Sequence, residues 1–233
     1  MSTQHILKPF DRDLKSVHNR VVGMAEMVSQ ELTDCFNAFV HRDKLEASDA
    51  VVADDLINAS ERIIDDLIVK TIVLHQPMAA DCRLLIAALR VSKDLERIGD
   101  YATNIANHSR TLDELELTGQ EQAVFAMGET VQDMMEDVIH AYTNNDAITA
   151  ENVRQQDGAV DDTYTAVFAN LIATSTEKPE LSAACTHLVF IARSLERIGD
   201  HITDIAEEVL FVVNGVFPED DRLKADVSAF VKG

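Results

Sequence analysis

Polar side chains recur every fourth residue in two stretches of this chain. The first reads Glu96, Asp100, Asn104, His108; the second reads Glu196, Asp200, Asp204, Glu208. On a helix, residues four apart stand on one face, one above another. Each row would then present a column of polar groups over about three turns. Like charges at that spacing destabilise a helix by about 0.2–0.5 kcal/mol per pair, so basic side chains or bound cations must offset them.

Basic side chains are at hand. Arg97 lies three residues before Asp100, Arg197 three before Asp200, and Arg193 three before Glu196. A lone Glu-x-x-x-Asp is usually a solvated helix face laced with such ion pairs. Three features favour cations here. The motif occurs twice at equivalent places. A second polar pair, Asp54/Asn58 and Asp157/Asp161, precedes each copy on a separate segment, again four residues apart. Gly99 and Gly199 sit in mid-helix, where each costs about 0.8–1 kcal/mol relative to Ala. A penalty borne twice implies close approach by a group that a Cβ would block.

The candidate metal ligands are therefore Asp54, Asn58, Glu96, Asp100 and Asn104 in one site, and Asp157, Asp161, Glu196, Asp200 and Asp204 in the other. Carboxylates without thiolates suit hard or borderline cations: Mg, Ca, Mn or Fe. Zinc is disfavoured because the rows lack Cys and are poor in His, although His108 and His201 are near. So many carboxylates leave room for more than one ion per site. Asn58 and Asn104 stand where the other site has Asp161 and Asp204, which makes the first site less acidic and the weaker binder.

Catalysis is the competing use of such clusters. Bundle di-iron enzymes add Glu-x-x-His motifs. Three residues after Glu96 and Glu196 come Gly99 and Gly199 instead. There is no Gly-rich phosphate loop and no nucleophile constellation, so an enzyme is not expected.

Helices must carry these rows. Leu14, Val17, Val21, Met24, Val28, Leu32 and Phe36 trace one face of a helix over residues 11–39. The pattern predicts further helices over 46–75, 78–112, 120–142, 149–174 and 180–213. The second carries Leu56, Ile63, Ile64, Leu67 and Ile68, and Pro77 ends it near His75. Asn144-Asn145-Asp146 and Ser175 to Pro179 read as breaks, and Gly215 as a helix stop.

Leu95-Glu96-Arg97-Ile98-Gly99-Asp100 recurs unchanged as Leu195-Glu196-Arg197-Ile198-Gly199-Asp200. Met24, Val28, Asp43 and Asp54 align with Met127, Val131, Asp146 and Asp157. Self-similarity of this length marks duplicated units. The expected fold class is all-α: two tandem, homologous three-helix bundles over residues 1–115 and 116–216, then a short C-terminal tail, 217–233.

Bulk properties agree. The chain has 233 residues, 46% of them hydrophobic but only 5% aromatic, so aliphatic side chains must fill a helix-on-helix core. A net charge of -21 repels phosphate backbones and acidic lipid, which argues against nucleic acid or membrane as a direct partner. Cys35, Cys82 and Cys185 fit neither a disulfide framework nor a zinc spacing. No run is long and apolar enough to span a bilayer, and the N-terminus has no signal core, so a cytoplasmic location is expected.

The doubled Leu-Glu-Arg-Ile-Gly-Asp, with Gln76-Pro77 opening the third helix and Asp81-Cys82-Arg83 close behind, resembles the PhoU family. The resemblance covers residues 11–213. It implies two three-helix bundles bearing multinuclear metal clusters on Glu/Asp-x-x-x-Asp motifs, iron or another divalent ion. It places the family motif on Glu96, Asp100, Glu196 and Asp200, with Asp54 and Asp157 on the partner helices. It further implies a cytoplasmic, often dimeric regulator that shuts off the phosphate-starvation response and restrains phosphate uptake. The implied partners are the phosphate ABC transporter, through its ATPase subunit, and the membrane sensor histidine kinase.

Overall fold

The computed structural model describes residues 8–42 and 46–218. The side chains of residues 46–54, Asp54 among them, lie outside the description, as do Asp43 and the tail from 219 onward. The described residues form α1 (Lys8–His41), α2 (Glu46–His75), α3 (Ala80–Leu112), α4 (Glu121–Asn144), α5 (Ala147–Glu177) and α6 (Ser182–Asn214). No strand occurs among them.

Local chemistry sets the ends. Gly215 adopts φ 81°, a left-handed conformation that glycine reaches without a Cβ penalty, and its N–H bonds Phe211 O at 2.9 Å. Asn145 turns the chain after α4 at φ 51°. Asp146 then caps α5, its Oδ1 accepting from the N–H groups of Ile148 and Thr149 at 3.0 and 3.3 Å. The expected break at Ser175 is not made. Thr174 and Thr176 turn their hydroxyls back onto Asn170 O and Ile172 O, and α5 continues to Glu177. Pro179 then opens a short 3-10 turn, Pro179–Leu181.

In α1 the predicted face from Val17 to Phe36 is buried, with Leu14 partly so. The second helix differs from expectation. Its buried stripe is Ile57, Ile64, Ile68 and Thr71, while Leu56 and Ile63 are 62% and 47% exposed. The cause is position: among the described residues α2 packs on α1 and α3, a single side, so a narrow stripe suffices. The fifth helix likewise flanks α4 and α6.

Each half is a three-helix bundle, and the two are joined along α3–α6, the most extensive helix pair, and α1–α4. One continuous apolar core results. The third helices run antiparallel, since Arg90 reaches Glu208 near the end of α6, and His108 meets His187 and Phe190 near its start. Repeat-equivalent pairs therefore face each other across a pseudo-two-fold axis. Between α1 and α4 the ring of Phe36 fills the space where a Cβ on Gly128 would lie, 2.0 Å from its nearest ring atom.

Asp146 is the only side-chain N-cap resolved on these helices among the described residues. Replacing it with Ala removes the oxygen that accepts from two backbone N–H groups and is expected to destabilise the protein by about 1 kcal/mol. Chemical denaturation of D146A beside D146N, which keeps a capping oxygen, checks this.

Candidate metal centre

Every fourth residue of a helix overshoots a full turn by about 40°. The rows predicted as straight columns are therefore spirals. Along α6, Glu196 faces α5, whereas Glu208, three steps on, faces α3.

The α5 end gathers Asp157, Asp161, Glu196 and Asp200. Asp157 is buried, and its Oδ1 lies 3.4 Å from where a Cβ on Gly199 would sit. That is ordinary contact, so a methyl would fit there. Gly99 is tighter: its Cβ would lie 3.3 Å from Glu31 Oε2 and 3.4 Å from Ile57 Cδ1. The close neighbours of both glycines are thus side chains of the adjacent helices.

Glu196 is buried, and Arg193 donates to its Oε1 at 2.7 Å. Its Oε2 is buried without a hydrogen-bond partner, with Arg197 Nε 3.7 Å away. Burial pushes its carboxyl above the ordinary carboxylate range; Asp200 and Asp161 add to that, and Arg193 and Arg197 oppose it. Arg197 also pairs with Asp200 at 3.0 Å. Asp161 and Asp200 on one side and Arg193 and Arg197 on the other thus set the charge around Glu196.

The first half is looser. Arg97 lies 3.6 Å from Glu96 and 3.4 Å from Asp100. Asn104 is exposed and Asn58 half-buried. Asp54 belongs to α2 by its backbone, but its side chain is outside the description.

Asp204 leaves the company of Glu196. It stands where α6 meets α3, and donor atoms of Asp94, His201 and Asp204 all lie within 4.8 Å of one another. Glu208 beyond it is buried and accepts from Arg90 at 2.9 Å.

Sequence reading missed two acidic side chains. Glu31, on the apolar face of α1, is 2% exposed and accepts from Thr103 Oγ1 at 3.0 Å. Its signal was a charge set inside an otherwise apolar stripe, between Val28 and Leu32. Asp94 carried no such signal, because only the packing of one half on the other brings it to α6.

The sequence pattern of the PhoU domain matches this chain twice, at residues 21–108 and 124–209. The chain is 36% identical over 222 residues to a phosphate-specific transport system accessory protein PhoU homolog of Xylella fastidiosa, covering 95% of this chain and 92% of that one. A counterpart of the same description in Pseudomonas aeruginosa is 35% identical, covering 91% and 88%. The crystal structure of PhoU from Pseudomonas aeruginosa superposes with a TM-score of 0.85 at 34% identity, over 89% of this chain and all 100% of that one. The phosphate transport system regulatory protein PhoU from Streptococcus pneumoniae matches equally well, TM-score 0.85 at 26% identity, over 90% and 99%.

The raised carboxyl of Glu196 gives a pH test. The folded chain holds that proton more tightly than the unfolded chain does, so the contribution of this one group to metal-free stability falls as pH rises through the carboxylate range. Glu196→Gln is expected to flatten that slope. It should raise the metal-free melting temperature at neutral pH by about 2–4 °C for each kcal/mol recovered. Calorimetric melting against pH, with chelator present, measures both.

Proposed function

From the premise that this chain belongs to the PhoU family, we propose that it is a regulatory accessory protein of phosphate uptake and a negative regulator of the phosphate-starvation response. The observation that carries this reading is the pair of PhoU domain matches, together with relatives named for the phosphate-specific transport system along nearly their whole length. In this reading the chain acts in the cytoplasm, dimerises, and contacts the ATPase subunit of the transporter and the sensor histidine kinase. Among the described residues no helix is long and apolar enough to cross a membrane, so it reaches the membrane through protein partners. It is not an enzyme in this reading.

Cations belong to the same proposal. Asp157, Asp161, Glu196 and Asp200 would hold them in the second half; Glu96 and Asp100, with Asp54, Asn58 and Asn104 beside them, would do so in the first. The support is the buried Oε2 of Glu196 that has no hydrogen-bond donor, and the like charges of Asp200 and Asp161 that press on the same carboxylate. Oxygen ligands favour iron, manganese, magnesium or calcium over zinc. A bound ion would supply positive charge that cancels repulsion between α5 and α6. Arg193 and Arg197 hold Glu196 and Asp200 in place from the solvent side. The acidic surface offers phosphate itself no direct attraction, so phosphate status would reach this chain through a bound ion or through its partners.

A strain lacking this chain is expected to express phosphate-starvation genes in phosphate-rich medium, and the intact chain to silence them. Pull-downs with the transporter ATPase subunit and the kinase sensor domain should each recover it. Recovery of neither partner, with starvation genes still repressed in the deletion strain, would overturn the proposal.

A further inference from the structure

A cavity of about 180 Å³ lies where the chain leaves α3 for α4, walled by Phe39, Val40, Leu112, Leu117 and Phe125. We propose that it binds a small organic cation: a protonated amine on a single-ring or branched aliphatic body, held by the carboxylate of Asp113. The proposal rests neither on the accessory role nor on metal at Glu196.

Asp113 supplies the first observation. It lines the cavity, its side chain is 5% exposed, and both carboxylate oxygens are buried without a hydrogen-bond partner. Arg42 does not meet that need. Its Nε stands 3.6 Å from Oδ1, and its Nη2 is spent on Leu112 O and Leu115 O at 2.7 and 3.1 Å. Glu121, also in the wall, already accepts from the N–H and hydroxyl of Thr118 and from the N–H of Gly119. The buried polar group left to serve is thus a pair of acceptors. A buried carboxylate lacking donors is costly, and an ammonium group brings donors and opposite charge together.

The walls supply the second observation. Phe39 and Phe125 meet edge to face, their centroids 5.0 Å apart at 66°. Such walls accept a ring or a branched alkyl group, and an aromatic face attracts a cation. An apolar cavity of about 150 Å³ is enough for benzene, so this one suits a single ring with its amine on a short arm. Charge agrees: exposed Glu116 also lines the cavity, and a net charge of -21 draws cations and repels anions. The repeat sets the count. At the places equivalent to Phe39, Arg42, Ser109 and Asp113 stand Tyr142, Asn145, Val209 and Val213, a set with no charge. One such site per chain is expected.

The full chain is titrated by isothermal calorimetry with phenethylamine, and with phenethyl alcohol as its uncharged counterpart, in about 0.15 M salt to screen surface charge. The expected result is saturable amine binding at one equivalent, with the alcohol at least about tenfold weaker. D113N should weaken amine binding by at least about tenfold, the scale of one hydrogen bond to a charged group. V40F, which fills the cavity and keeps the carboxylate, should do the same. E26Q removes an exposed charge about 20 Å along α1 from Phe39 and should bind the amine like wild type. No saturable binding to wild type would overturn the site, leaving Asp113 to solvent water, as would D113N titrating like wild type. Equal binding of the alcohol would overturn the recognition of charge. A loss in E26Q equal to that in D113N would overturn the site by making the amine a counterion of the acidic surface. If circular dichroism shows that D113N or V40F has lost helix, the other variant decides.

Discussion

A carboxylate row on a helix cannot keep to one neighbour. Because 3.6 residues make a turn, each step of four rotates the next side chain by about 40°, and three steps carry it about 120° around. On α6 this rotation divides one sequence motif between two surroundings: Glu196 belongs to the groove beside α5, Glu208 to the seam beside α3. Asp200 and Asp204 are distributed between them. Which charges meet, which arginine answers them and which oxygens go unanswered all follow from that angle.

Burial makes the division consequential. Arg193 and Arg197 reach the α5-facing carboxylates from the exposed side, yet one oxygen of Glu196 is sealed off from hydrogen bonding. Arg90 does the same for Glu208 and leaves its second oxygen in the same condition. The arginine pairs are real, so the neutralisation expected of exposed helix faces is partly present in both halves. It is incomplete where the helix face is covered: at Glu196 one guanidinium bonds Oε1, while the other stands 3.7 Å from Oε2, too far to donate. The halves also differ in kind. Glu31 accepts from Thr103 in the first, whereas the equivalent place in the second holds Met134, and Thr203 has a buried hydroxyl without a partner.

Much of the architecture was legible in the sequence. Seven apolar positions spaced three and four apart along α1 and an unchanged six-residue repeat sufficed for two bundles of three helices, because periodicity and duplication are local properties of the chain. Helix ends were legible where a residue has one strong backbone preference, as at Gly215 and Pro179. They were not legible at Ser175 to Glu177, where threonine hydroxyls satisfy the helix carbonyls and the helix runs on. Leu56 and Ile63 misled because hydrophobicity does not reveal that α2 has neighbours on one side only. At the candidate centre, the types of Glu196, Asp200 and Asp157 were readable, but Asp94 and Glu31 were not: their partners lie on helices that only tertiary packing brings near.

The ring of Phe36 over Gly128 bears on how the duplicated units fit one another. In the repeat, Ala25 corresponds to Gly128 and Ile139 to Phe36. Ala25 and Ile139 themselves line one narrow crevice between α1 and α4. The large residue has thus moved to one side of the pseudo-axis and the smallest to the other, as a knob and its socket. Two copies of the first half would drive Phe36 onto the methyl of Ala25, and two copies of the second would leave Ile139 above an unfilled hollow. At this contact the halves have become complementary rather than interchangeable.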